Sequence, residues 1–210
     1  KLKFIRTSQL RYLEKNPTGN DLLSFFIEIL DKKNLLIVDS RGNTSLIEDL
    51  AKKDSFDEED VTIIKNNLYL ERVLDSHIHD DKIFISYETD SEGCKKYNIS
   101  FAYFNKSSLN FKPFFKDENC KELINSGRMQ SYRLDEKEGL LFAISAAIYD
   151  QPNLEPQDEK SMFGKILFKE FNSEKVEVFS KGHRLILGLM VDKDLILSTE
   201  NGPWGGDEIN

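Results

Sequence analysis

The strongest constraint on the fold of this chain is a series of short apolar runs separated by turn-forming residues. Runs such as 82–88 and 163–170 are rich in β-branched and aromatic residues, which is typical of strands. Turn signals, among them Glu138-Gly139, stand between the runs. The predicted strands are 22–29, 34–40, 61–65, 82–88, 97–104, 109–115, 127–134, 139–146, 163–170, 175–180, 185–191 and 194–199.

Pairs of these strands around a tight turn recur near 22–39, 128–146 and 185–199. A recurrence at roughly fifty residues, or a multiple of that, suits a propeller blade of four antiparallel strands. We therefore predict an all-β fold, a β-propeller of four-stranded antiparallel blades, with a β-sandwich as the alternative. Helical periodicity is weak, and only 45–53 and 120–126 are predicted to form a helical turn or two.

The charge balance argues against one class of partner. The 210 residues include 37 acidic and 29 basic residues, and the formal net charge is -8. Binding to nucleic acid needs a basic face that neutralises phosphates, so we predict no nucleic-acid partner. No apolar run is long enough to cross a bilayer, so no transmembrane segment is predicted in this chain.

The cysteines and two of the histidines leave alternatives open. Cys94 and Cys120 have no metal-ligand spacing, and they can either pair in an oxidising compartment or remain free thiols. His77 and His79 would share one face of a strand and could hold a metal together. No third Cys or His lies near them in the sequence, which favours a structural role.

The C-terminal end holds an unusual pair of motifs. Gly182-His183-Arg184 stands before the predicted hairpin 185–199, and the segment TENGPWGGDEIN follows at 199–210. The hairpin brings an arginine and a Gly-rich acidic turn to the same end of neighbouring strands. Glycines allow such a turn to direct several backbone carbonyls to one side, and carbonyl oxygens are typical calcium ligands.

These motifs resemble those of the soluble glucose/sorbosone dehydrogenase-like family. The resemblance covers GHRLILGL at 182–189 and TENGPWGGDEIN, and it extends upstream to VLDSHIHDDKIFISY at 73–87, INSGRM at 124–129 and DEKSMFGKILFK at 158–169. Members are six-bladed β-propellers, and many use pyrroloquinoline quinone (PQQ) and calcium. The resemblance thus implies a dehydrogenase that oxidises the C1 hydroxyl of a small sugar by hydride transfer to the quinone.

The resemblance also implies roles for individual residues. Arg184 matches the family's cofactor-contacting arginine, and a guanidinium suits the carboxylates of a tricarboxylate quinone. Arg128 matches the arginine of the family's SGR motif and is expected to contact the cofactor, with bracing of its loop as the alternative. Gly202 and Pro203 match the turn whose carbonyls hold calcium. Asp207 is expected to fix that turn rather than to bind the metal.

The chain departs from the family pattern at four places, two of which are Trp204, where the family often has Arg, and Asn201, where it often has His or Gln. Ile124 occupies the position of the catalytic histidine, and its side chain cannot accept a proton. A one-residue shift would put Asn125 there, which is no base either. Leu185-Ile186-Leu187 replaces an Asn-Pro-Gln sequence and removes polar groups.

The resemblance further suggests how the chain is organised. We expect a lead-in at 1–20 and a partial propeller domain at 21–210 that is truncated at its C-terminal end and supplies about half of a six-bladed ring. The expected location is periplasmic or secreted. The functional alternative to a sugar dehydrogenase is a catalytically degenerate propeller that acts as a carbohydrate-binding or interaction module, and Ile124 favours that alternative.

Overall fold

Consecutive strands pair through tight turns and form four small sheets. The structure is a computed structural model, and it describes residues 24–31, 33–50, 58–145, 155–202 and 206–210. The sheets follow one another along the chain as the blades of a propeller, so the predicted all-β propeller is confirmed and the sandwich alternative is wrong. In these described ranges, no helix is both long enough and apolar enough to span a membrane.

Each blade begins with its innermost strand and proceeds outward. Blade 1 contains β1 (Phe25–Ile29), β2 (Leu35–Asp39), β3 (Thr44–Ile47) and β4 (Val61–Asn66), with β8 (Ser108–Leu109) parallel to β4. Blade 2 contains β5 (Arg72–His79), β6 (Lys82–Ser91), β7 (Cys94–Tyr103) and β9 (Lys112–Lys116). Blade 3 contains β10 (Met129–Leu134), β11 (Lys137–Ile144), β12 (Lys165–Glu170) and β13 (Val176–Lys181). Blade 4 contains β14 (Ile186–Asp192), β15 (Leu195–Glu200) and β16 (Glu208–Ile209).

Two-residue turns close several of the hairpins. Asp80, Glu92, Asp135 and Lys193 lie in these turns with φ between 53° and 57°. Left-handed backbone at the turn matches the right-handed twist of the paired strands, and Asp tolerates it better than most residues. The tight turns make each pair of sequential strands antiparallel neighbours.

Alternate residues of the central strands face different blades, and this explains the continuous apolar runs. Ile83 and Ile85 of β6 pack into the core between blades 1 and 2, whereas Phe84 packs into the core between blades 2 and 3. In β11, Phe142 faces blade 2 and Leu141 faces blade 4. Both faces of these strands are buried, so the usual alternation of polar and apolar residues is absent.

Several local predictions were wrong. Of the segment predicted as helical at 45–53, residues 45–47 lie in β3 and 51–53 lie outside the described residues. The segment at 120–126 contains no helix but an isolated bridge between Lys95 and Lys121. The predicted strand 109–115 is divided between β8 and β9. Each of these segments is short, so tertiary pairing outweighs its weak local preference.

The predicted turn at Glu138-Gly139 is also wrong, because both residues lie inside β11. A Cβ atom on Gly139 would lie 2.4 Å from the carbonyl oxygen of Lys169 on β12. Glycine is therefore needed there for close strand approach and not for a turn. The turn falls instead between β10 and β11, at Asp135.

The two cysteines form a disulfide. Cys94 begins β7 and Cys120 follows β9, and the bond joins residues separated by 26 positions. Lys95 and Lys121 exchange backbone hydrogen bonds of 2.8 and 2.9 Å directly beside the bond. The disulfide therefore attaches the loop 117–128, which leads into blade 3, to the β6–β7 turn of blade 2.

Candidate functional site

The innermost strands of successive blades meet through polar side chains. β1, β5, β10 and β14 contact one another in that order. Ser76 Oγ on β5 donates to Glu28 Oε1 on β1 over 2.7 Å. The backbone N–H of Ser131 on β10 donates to His77 Nε2 on β5 over 2.9 Å. The centre of the blades is therefore lined by titratable groups with partners on the next blade.

Arg128 connects three blades at this centre. Its Nη1 donates to Asp75 Oδ1 on β5 over 3.0 Å, and its Nε donates to the carbonyl of Leu187 on β14 over 2.7 Å. The second oxygen of Asp75 accepts the backbone N–H of Met129 over 2.8 Å. The predicted cofactor contact Arg128 thus has donors on both sides of its guanidinium engaged by protein groups.

The two acids at the centre have raised pKa values. Burial raises the pKa of Asp75 to about 6, although the Arg128 charge and the Met129 N–H oppose the shift. Burial raises the pKa of Glu28 to about 7, against the hydrogen bond from Ser76. A carboxyl group that titrates near neutral pH can exchange a proton under ordinary conditions.

The two histidines of β5 have separate partners. Nε2 of His77 accepts the Ser131 N–H, and burial lowers the pKa of His77 to about 4, with a further contribution from His79. The His79 ring stacks on Phe171 with 4.7 Å between centroids. Over the described ranges, no group of three or more His, Cys, Asp or Glu side chains could hold a metal ion. The pair therefore joins blades and packs against them.

Glu200 holds the segment that carries His183 and Arg184. Its Oε1 bonds His183 Nδ1 at 2.5 Å, and its Oε2 accepts the backbone N–H of Arg184 at 3.0 Å. His183 Nε2 bonds Ser180 Oγ at 2.8 Å, so both ring nitrogens have partners. His183 is buried, which suits an orienting residue. Sequence reasoning assigned no role to Glu200.

Arg184 lies beside the residue that precedes the glycine turn. Its Nη1 donates to the carbonyl oxygen of Asn201 over 3.0 Å, and the Asn201 N–H donates to the carbonyl of Leu185 over 3.0 Å. This contact uses one of the five N–H donors of a guanidinium. The predicted juxtaposition of the arginine and the turn is therefore present in the structure.

Asp207 closes the glycine turn. Its Oδ1 accepts the Gly202 N–H over 3.0 Å, which is the turn-fixing role predicted for this acid. A Cβ atom on Gly202 would lie 1.7 Å from the carbonyl oxygen of Gly206, so only glycine fits. Pro203, the second predicted calcium ligand, and Trp204 lie outside the described residues.

A cavity of about 420 Å³ lies against this turn. Its lining residues are Leu187, Thr199, Glu200, Asn201, Asp207, Glu208 and Ile209. The lining combines polar oxygens with apolar side chains, and its charged members are all acidic. Such a lining favours a cation or a neutral polyol over an anion that arrives without a counterion.

Ile124 does not line the cavity. Its side chain is 0% exposed within the core between blades 2 and 3, and its carbonyl oxygen accepts a hydrogen bond from Arg72 Nη1 over 3.3 Å. The residue at the predicted base position is thus a core residue. Asn125, the alternative by a one-residue shift, is partly exposed.

Sequence reasoning missed three acids that organise this region: Glu28, Asp75 and Glu200. Each is a charged residue inside or at the end of a strand that also carries apolar residues. That position was the available signal, because a carboxylate at the edge of a buried strand requires a partner.

The fold and the site together define a β-propeller whose candidate cavity lies at one end of the blade 4 strands, where β14 begins and β15 ends. The chain belongs to the glucose/sorbosone dehydrogenase family, whose sequence model matches residues 24–210. The predicted family resemblance is thereby confirmed. No curated protein matches the chain significantly.

A solved structure supports the fold. The chain is similar to a crystal structure from Thermus thermophilus described as an oxidoreductase (glucose dehydrogenase), with a TM-score of 0.67 and 18% sequence identity. The match covers 91% of this chain and 62% of the other, so the chain spans less than two thirds of that protein's length. At this identity the likeness concerns the fold.

Proposed function

We propose that this chain forms part of a sugar dehydrogenase that uses PQQ and calcium. The observation that carries the proposal is the contact of Arg184 with Asn201, which holds a guanidinium beside the glycine turn and the cavity. Family membership supports an oxidoreductase that acts on a sugar. The remaining donors of Arg184 suit a carboxylate or quinone oxygen.

The acidic lining is compatible with PQQ only if a cation accompanies it. Glu200, Asp207 and Glu208 line the cavity, and a tricarboxylate would be repelled there without a counterion. Calcium held by the carbonyl oxygens of Gly202 and Pro203 would offset this repulsion. Quinone binding is therefore expected to depend on calcium.

In this proposal the chain's own residues bind and orient. Bound PQQ supplies a quinone that accepts two electrons. Arg184 anchors an oxygen of the cofactor, Glu200 and His183 keep the Arg184 backbone in place, and Asp207 maintains the turn. Because Ile124 is buried in the core, it has no part in moving a proton.

A second function is a sugar-binding or interaction module without turnover. The burial of Ile124 and the engagement of Arg128 favour it, since the expected base is absent and one expected cofactor arginine already contacts protein groups. The fold and the Arg184 segment would be retained in that case. The two functions differ in hydride transfer and not in architecture.

The test is to add PQQ and calcium to the purified protein and to follow the quinone absorbance, then dye reduction with aldoses. A calcium-dependent shift with dye reduction supports the dehydrogenase, and a shift without turnover supports the binding module.

The variant Arg184→Gln should weaken PQQ binding by ~10-fold or more, as expected for loss of a charged hydrogen bond. Arg133→Gln is the matched control, because Arg133 pairs with Glu138 on the exposed surface of blade 3. No shift with the wild-type protein would overturn the quinone proposal.

Periplasmic or secreted location is part of the same proposal. The disulfide between Cys94 and Cys120 supports it, because such bonds persist in oxidising compartments. Fractionation of the native cells, with thiol labelling of each fraction, tests it. Recovery of the protein with two free thiols in the cytosolic fraction would contradict it.

A further inference from the structure

The Arg128 side chain connects blade 2 with blade 4. One side of the guanidinium holds Asp75 on blade 2, and the other side holds the Leu187 carbonyl on blade 4. Arg128 itself stands immediately before β10, the innermost strand of blade 3. A single side chain therefore fixes the relative positions of three innermost strands.

The Asp75 side chain, at one end of this connection, is held by two hydrogen bonds. Only 12% of the Asp75 side chain is exposed, and both of its oxygens accept hydrogen bonds, one from Arg128 and one from the Met129 N–H. A bond to a charged partner in such a setting is stronger than an exposed surface ion pair. Asp75 thereby fixes the orientation of the Arg128 guanidinium.

The other end leads to the candidate cavity. Leu187 lines the cavity, and Leu185, two residues earlier, accepts the N–H of Asn201. The Asn201 carbonyl in turn accepts the Arg184 guanidinium. An unbroken series of contacts thus runs from Asp75 through Arg128 to the arginine of the proposed cofactor site.

We propose that Arg128 and Asp75 form a positioning pair that holds the 184–187 segment against blades 2 and 3 and so sets the affinity of the cavity for its ligand. The part of this inference that concerns ligand affinity rests on the proposed function. In this role the pair acts through the backbone of Leu187. It differs from the direct cofactor contact predicted for Arg128 and extends the bracing alternative from one loop to three blades.

The pair responds to acid. Asp75 has a pKa of about 6, raised mainly by burial, so protonation below that pH removes the negative partner of Arg128. The other titratable groups near Asp75 are Glu28 on β1 and Tyr97 on β7. Ligand affinity should therefore fall as the pH decreases from 7 to 5, and Glu28→Gln distinguishes the contribution of that neighbour.

The first experiment measures amide hydrogen exchange in the wild-type protein and in Asp75→Asn and Arg128→Gln. Exchange at Leu187 to Leu189 and at Asn201 and Gly202 should accelerate by roughly 10-fold, the effect expected from loss of a charged hydrogen bond, while amides of β6 remain protected. The double variant should resemble either single variant, because both remove the same contact. Arg133→Gln should leave all of these rates unchanged. Uniform acceleration in every blade, or none at 187–189, would overturn the proposal.

The second experiment measures the dissociation constant of PQQ with calcium between pH 5 and pH 8. Both single variants should weaken binding by ~10-fold at pH 8 and abolish most of the pH dependence. Arg128→Lys should keep the pairing with Asp75 but lose the fork to Leu187, so it should not restore affinity. Full affinity in Arg128→Lys would contradict the positioning role. If the wild-type protein binds no PQQ, the proposed function fails, and the exchange experiment still decides whether the pair positions the segment.

Discussion

Glu28 is a carboxyl group whose protonation is coupled to folding. It lies half-buried on β1 and accepts a hydrogen bond from Ser76 on the next blade. Its pKa of about 7 exceeds the ordinary value of 4.5, chiefly because of burial. The folded protein therefore holds more protons at this residue than the unfolded chain does between these two pH values.

This shift predicts a measurable pH dependence of stability. The contribution of Glu28 is most favourable below pH 4.5 and is lost as the pH rises through about 7. Glu28→Gln removes the titration, so the variant should gain about 1–2 kcal/mol relative to the wild-type protein between pH 5 and pH 8. Urea unfolding at a series of pH values measures this difference. A constant difference across that range would show that Glu28 is not the group that titrates.

Ile124 makes a second prediction at the level of single residues. Because its side chain is fully buried between blades 2 and 3, Ile124→His would place a polar ring in an apolar core. We expect a loss of about 2–4 kcal/mol in the free energy of unfolding and no gain in dye reduction. Ile124→Val, as the matched control, should cost only about 1 kcal/mol. A stable histidine variant with raised turnover would place position 124 at the cavity after all.

At the level of elements, the loop 117–128 depends on its anchors more than on its own sequence. The disulfide, the paired backbone bonds of Lys95 and Lys121, and the bond from Ser86 Oγ to the Gly127 carbonyl hold it. No regular secondary structure spans the loop. The position of Arg128 at its end follows from these attachments.

The disulfide should therefore contribute strongly to stability. Cys94→Ser combined with Cys120→Ser should lower the free energy of unfolding by about 2–4 kcal/mol, because the bond reduces the conformational entropy of the unfolded chain. Thermal unfolding with and without a dithiol reductant measures the effect. The reductant should lower the Tm of the wild-type protein and leave that of the double variant unchanged. An equal decrease in both proteins would indicate that the reductant acts elsewhere.

Some strands could be predicted from the sequence and others could not. Strands buried on both faces, such as β6 and β11, were predictable from continuous apolar runs. β5 was missed because Asp75, Ser76 and His77 interrupt its apolar character, and these are the residues that meet neighbouring blades at the centre. Residues 45–47 were mistaken for helix because the strand character of β3 depends on pairing with β2 and β4. The turn residue Asp207 was interpreted correctly because Asx side chains cap turns locally.

For the whole molecule, the family motifs predicted the architecture better than they predicted the site. The propeller follows from repeated hairpins, which short-range turns encode. The environment of Arg128 and Ile124 depends instead on contacts between blades that are distant in sequence, with Asp75 and Arg128 separated by 53 positions. Motif spacing within one segment carries no information about such contacts.

Calcium provides a prediction for the whole protein. If the 202–207 turn binds the ion in the folded state only, millimolar calcium should raise the Tm, because a ligand of the native state stabilises it by mass action. Magnesium should be much less effective, since it prefers to retain its water ligands. Gly202→Ala should abolish the calcium effect, because the added Cβ would collide with Gly206. Equal stabilisation by both ions would indicate general screening of the net charge of -8.

The hydrogen bond from Arg128 to Leu187 is made to a backbone oxygen, so it does not depend on which side chain stands at position 187. Any side chain at position 187 leaves that oxygen available. A substitution at position 187 should therefore change the side chain that lines the cavity while the hydrogen bond between blades 3 and 4 is retained.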